Sequence, residues 1–177
     1  MDSVQFATAY VPTEIEVAGA HVRLFFTLQA AMKMEASLKR PYLETVLMML
    51  QAEDDNGKPQ SLPMSEQAEI VRILMEEAGQ SISAKTLMSL DMREFALLAR
   101  AAQVEIVGKM PRSAQKKNDA GEWRWEMILL AAKRVLGLTV DEFWHLTPTV
   151  FHALLEETIG ENEQAPRKVQ FADEIGW

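Results

Sequence analysis

Cysteine is absent from this 177-residue chain. That removes disulfides, a thiolate nucleophile and cysteine-ligated zinc, and it fits a reducing compartment. Histidine is scarce, with 3 in all, so metal or acid–base chemistry has few groups to draw on. Long apolar runs are missing too: none approaches the roughly 18 residues that cross a bilayer. The opening "MDSVQFATAYVPTEIEV" lacks the basic segment and apolar core of a secretory signal. The expectation is a full-length cytosolic protein with no membrane contact. Positive charge is in deficit, 18 Lys and Arg against 26 Asp and Glu, for a net −8. A chain of that sign is a poor match for nucleic-acid phosphates. There is no G-x-G-x-x-G, no phosphate loop and no nucleophile elbow.

What is present is average for a globular protein, 48% hydrophobic and 25% charged. Methionine is the exception, at 11 residues, with Met32, Met34, Met48, Met49, Met64, Met75, Met88 and Met92 grouped together. An unbranched, polarisable side chain suits helix cores and adaptable binding surfaces alike.

The stretch "EIEVAGAHVRLFF" alternates around Ala18-Gly19-Ala20, which predicts a β-hairpin with His21 solvated at its turn. From Thr27 the period changes. Thr27 caps a helix whose apolar side holds Leu28, Ala31, Met32 and Leu38, and Pro41 opens the next helix, "YLETVLMMLQ". "AEDDNGKPQSLP" is an exposed loop, after which Ser65 opens a helix that stops at Gly79. Asp91 and Glu94 form a capping box for a helix striped by Phe95, Leu98, Ala99, Ala102 and Ile106.

"KMPRSAQKKNDAGE" then loses all periodicity and is expected to be a linker. Beyond it, Trp125, Ile128, Leu129, Ala132, Val135 and Leu136 draw a helical stripe ended by Gly137. Thr139 and Glu142 make a second capping box, and Thr147 with Pro148 starts a last helix that Gly160 ends. The fold class is mainly α: a hairpin and helices over 1–109, a linker at 110–122, a three-helix module at 123–160 and a tail at 161–177.

"LGLTVDEFWHLTPTVFHALLEE" invites a chemical reading. Glu142 and His145 are spaced E-x-x-H, half of a di-metal pattern that needs a second copy, and none is present. His152 lies beyond the Thr-Pro break, and no serine or glycine-rich element accompanies the histidines. As a DNA-reading helix-turn-helix the stretch carries Glu156 and Glu157 where basic residues are needed. No enzyme activity, metal or cofactor is expected.

Leu136, Leu138, Phe143, Trp144, Leu146, Thr147, Pro148 and Phe151 resemble the L-L-x-x-x-x-F-W-x-L-T-P-x-E-x signature of tail assembly chaperones of long-tailed phages and gene transfer agents. The family's Glu two residues after the Pro is Val150 here. The order of parts in "IEVAGAHVRLFFTLQAAMKMEASLKRPYLETVLMML" is similar too: a hairpin, a helix containing a Glu (Glu35), a break and a second helix. The resemblance spans most of residues 13–159. It implies a long-form chaperone of phage or prophage, acting in the host bacterial cytoplasm and absent from the virion. Its N-terminal part would coat the tape-measure protein in several copies, and its C-terminal part would recruit the tail tube protein. Such proteins are commonly made by a translational frameshift; Lys116-Lys117 and Gly108-Lys109 are dipeptides that slippery codons encode.

Under that reading, Trp123, Trp125, Phe143, Trp144 and Phe151 are candidates for the tube contact, since aromatics dominate interface energetics. Met32, Met48, Met49 and Phe95 are candidates for the tape-measure contact. The competing expectation is a cytosolic helical adaptor or regulatory protein with an unrelated protein partner.

Overall fold

The computed structural model describes residues 10–50, 62–110 and 124–164, with side chains to residue 158. Most of the expected loop after Gln51, linker residues 111–122, Trp123 and tail residues 165–177 lie outside the described residues.

The chain is mainly α, as its periodicity predicts, with one antiparallel hairpin ahead of the helices. Strand β1 (Thr13–Val17) pairs with β2 (Ala20–Leu24), Ile15 opposite Val22 and Thr13 opposite Leu24. Ala18 and Gly19 between them have φ of +53° and +73°. That left-handed pair matches the twist of the flanking strands and is why a glycine sits there. His21 falls within β2, exposed, with Nε2 3.4 Å from the Glu14 carboxylate.

Eight helices follow among the described residues: α1 (Leu28–Leu38), α2 (Tyr42–Met49), α3 (Met64–Glu77), α4 (Ala84–Met88), α5 (Met92–Gly108), α6 (Trp125–Val135), α7 (Val140–His145) and α8 (Pro148–Gln164). Local chemistry sets most ends. Thr27 Oγ1 accepts the Ala30 N–H at 3.0 Å, and both capping boxes, Asp91–Glu94 and Thr139–Glu142, are formed. At the end of α3, Gly79 (φ +80°) turns the chain so that Gln80 N–H reaches the Met75 carbonyl at 2.8 Å.

Two helix ends are corrected, and one helix has no counterpart in the sequence reading. α3 begins at Met64 behind Pro63, so Ser65 lies inside it. α4, capped by Ser83, is too short at five residues to show a period. α8 runs through Gly160 to Gln164, because a lone glycine costs a helix only about 1 kcal/mol and cannot stop it unaided.

Helix α3 is the centre of the N-terminal body. Ala68, Ile70, Val71, Ile73 and Leu74 are all fully buried, against α1, α5 and β2. Phe25 N–H donates to the Leu74 carbonyl at 3.1 Å, fixing the hairpin to this helix. A second apolar cluster joins Ala132, Phe143, Leu146, Val150 and Phe151 of α6 to α8 with Leu28 of α1. Leu28 N–H donates to Leu146 O at 2.8 Å and Thr149 N–H to Lys109 O at 3.0 Å. The C-terminal module is thus packed onto the body at both ends of the body's own sequence. Among the described residues no helix is long and apolar enough to cross a membrane.

Candidate functional site

A groove lies open on the body among the described residues. Helix α2 supplies Met48 and Met49, α5 supplies Ala96, Ala99, Arg100 and Gln103, and Leu62 and Gln67 close one end around about 310 Å³. Gln103 Nε2 donates to the Met49 carbonyl at 3.1 Å, holding the end of α2 against α5. Met48 and Met49 are half-buried, whereas Leu50, Leu97 and Val104 stand exposed nearby in the chain. Small residues on one wall and flexible thioethers on the other suit an apolar segment of varied shape.

The second open surface is on α6. Its inner side packs through Trp125, Ile128, Leu129 and Ala132, but Met127, Leu130 and Val135 are exposed. Val135 was expected on the inner stripe and is 47% exposed instead. It lies in the last turn of the helix, beyond the reach of the single side packed on α7.

A chain of rings links the body to the module. Phe26, Tyr42, Trp125 and Trp144 follow one another at centroid spacings of 6.3, 6.2 and 6.0 Å. Phe143 stands edge-on to Trp144 at 4.7 Å, and Phe151 edge-on to Phe143 at 5.5 Å. Glu35 ties the same joint: one carboxylate oxygen accepts Trp125 Nε1–H, and the other accepts the Tyr42 backbone N–H at 3.0 Å. Burial, with the Glu35 charge beside it, raises the Tyr42 phenol well above its ordinary value.

The expected contact residues therefore divide. Phe143, Phe151 and Phe95 are buried at 0%, 4% and 3% exposure. Their rings belong to the chain's own cores and are not part of an exposed surface. Trp125 and Trp144 are half-buried at the joint. Met32 is half-buried outside both clusters, because α1 turns Ala30, Ala31 and Met34 to the body core and Leu28 to the module. Trp123 lies outside the described residues. Met48 and Met49 do meet in the groove. Val150, the departure from the chaperone signature, is 1% exposed in the module core, where a carboxylate would be unpaired.

Sequence reasoning missed Glu105. It is 2% exposed and accepts the Phe26 N–H at 2.9 Å and the Thr13 hydroxyl at 2.7 Å. Lys109, one turn on, donates to Val11 O at 2.8 Å; burial lowers its pKa and the Glu105 charge partly opposes this. Both groups serve to hold the hairpin on α5. Glu142 is used by its capping box, His145 Nδ1 lies 2.8 Å from the Asp141 carbonyl, and His152 Nδ1 lies 3.4 Å from Glu156. Among the described residues no group of three or more His, Asp or Glu is placed to hold a metal ion.

No protein-family model, curated protein or solved structure matches the chain.

Proposed function

We propose that the protein is a non-enzymatic tail assembly chaperone of a phage or prophage. It keeps the tape-measure protein soluble and brings tail tube protein to it in the host cytoplasm. The signature around Phe143-Trp144 and the order of the N-terminal parts motivate the reading. The observation that carries it furthest is the pair of open apolar surfaces on separate parts of one chain, the Met48–Met49 groove and the Met127–Leu130 face of α6. An adaptor that joins two proteins needs one surface for each. The groove is assigned to the tape measure, whose long helices vary in sequence, and the α6 face to the tube protein. Weak binding in many copies along one tape measure would keep the coat reversible.

Co-expression of the full chain with tape-measure and tube proteins of the same genome, followed by pull-down, tests this. Ala96→Glu, at an exposed position in the groove, is expected to lose the tape measure and keep the tube protein. Leu130→Glu on α6 is expected to do the reverse. If the unaltered chain retains neither protein, the chaperone reading falls and a helical adaptor for some other protein takes its place.

A further inference from the structure

The outer side of α5 carries two arginines beside the groove, while the exposed Lys39 and Lys85, unpaired among the described residues, stand singly on other parts of the body. Arg23, Lys33, Arg40 and Arg72 are each paired with carboxylates. Arg93 and Arg100 are not: both are exposed and neither makes an ion pair among the described residues, Arg100 donating only to the side-chain oxygen of Gln103 at 2.7 Å. The carboxylates of α5 are engaged elsewhere, Glu94 in the capping box and Glu105 beneath the hairpin. Helical spacing puts Arg93, Ala96, Leu97, Arg100 and Val104 on one side of α5, beside the groove. The two arginines stand two turns apart, about 10.5 Å along the axis, and Leu97 and Val104 are 53% and 52% exposed beside them.

We infer that this stripe and the groove together dock an acidic amphipathic helix of a partner protein. The inference rests on the proposed chaperone reading for the partner's role, though not for its chemistry. The occupant lies along α5, sets its apolar side over Ala96, Ala99 and the Met48–Met49 wall, and presents carboxylates seven residues apart to Arg93 and Arg100. Charge complementarity selects this occupant. Two cations at helical spacing beside an apolar groove match the flank of one helix, whereas an extended polyanion such as nucleic acid or an anionic bilayer reaches past them to the carboxylates that bring the chain to net −8.

Two synthetic 21-residue helical peptides with the same leucine stripe provide the probe, one with Glu at positions seven apart on the flank and the other with Lys there. Binding to the full chain is measured by fluorescence anisotropy at low and moderate salt. The Glu peptide is expected to bind at least about tenfold tighter, with the advantage shrinking as salt rises. In the doubly substituted Arg93→Glu, Arg100→Glu chain the preference should reverse. Both positions are exposed, and an unchanged circular dichroism spectrum confirms that fold is not the cause. Equal binding of the two peptides, or a preference untouched by the charge reversal, overturns the inference. So does tight capture of anionic vesicles or duplex DNA that the reversal abolishes. So, too, does a Glu53→Gln, Asp54→Asn, Asp55→Asn variant that binds the Glu peptide far better, since the chain's own acidic segment would then be the occupant. If the peptide preference holds and the tape measure is not retained, the surface stands and the chaperone reading fails. If the tape measure is retained equally by the charge-reversed chain, the opposite follows.

Discussion

The body and the C-terminal module solve the same packing problem with unequal means. In the body, α3 is covered on several sides, and Ala68, Ile70, Val71, Ile73 and Leu74 show no exposure. In the module, α6 is covered on one side only: Ala132 is fully buried, Trp125, Ile128 and Leu129 are half-buried, and Met127, Leu130 and Val135 face outward. Three helices of that size cannot enclose a core by themselves. The module therefore completes its cluster with Leu28, a residue of the body, and rests Trp125 on Tyr42 and Glu35. Dependence is expected to run mainly one way: the body has a large core of its own, against which Trp125 of the module also packs, whereas the module's core is complete only where the body lends Leu28.

Leu74→Ala, a fully buried position on the central helix, is expected to cost about 3–5 kcal/mol, a large part of the total for a domain this size. Urea denaturation should show body and module melting together, since the module loses its support. Next comes Leu28→Ala. Removing the lent side chain should cost about 2–4 kcal/mol, but the loss should appear as loosening of the module alone. Tryptophan fluorescence, whose four sources Trp123, Trp125, Trp144 and Trp177 all follow the body in the sequence, should then shift at lower urea than the helical circular dichroism signal. Coincident transitions would show that the two parts form one cooperative unit and that the one-way dependence is wrong. Glu35→Ala should act on the same joint by about 1–2 kcal/mol, because Trp125 Nε1–H and the Tyr42 N–H lose their acceptor. Glu35→Gln keeps one acceptor oxygen and is expected to restore about half of that.

These contrasts also mark what could be read from the chain beforehand. Thr27, Asp91 with Glu94, and Thr139 with Glu142 act on backbone within three residues of themselves, so the helix starts they set were legible. The hairpin was legible through its alternation and Gly19. Burial was harder, because it depends on what arrives from elsewhere. Glu105 looks like an ordinary surface residue until the Phe26 N–H is brought against it by the hairpin. Leu28 and Met34 lie on one amphipathic helix yet belong to different cores, a division that helical period cannot express. Phe143 and Phe151 share the composition of an interface hot spot and are core, whereas the groove wall contributed by Ala96 and Ala99 has no compositional signal at all. Methionine content did point to Met48 and Met49, though not to which methionines would be buried: Met34 and Met75 are core, and Met88 and Met92 are exposed.

The body carries a carboxylate network with no counterpart among the module's described residues: Arg72 donates to Glu69 and Glu76, and Lys33 donates to Glu76 and Glu77. Hydrogen bonding from Arg72 lowers the pKa of Glu69, and hydrogen bonding from Lys33 lowers that of Glu76, each against an opposing effect of burial. A carboxylate whose folded pKa lies below its unfolded value, 4.5 for both, contributes stability that is complete above that value. The contribution is lost as pH falls through the folded pKa. Much of this network is open to solvent, so screening keeps the effect modest. The melting temperature of the body should be flat from about pH 7 to 5 and decline below 4.5, and Arg72→Met should flatten that decline. The module's tryptophan transition in the Leu28→Ala chain should follow this acid limb only weakly, since among its described residues the one carboxylate with a lowered pKa is Glu142, hydrogen-bonded by Thr139 in an exposed capping box. An acid limb of equal steepness in both transitions would mean that the network serves the whole chain and not the body alone.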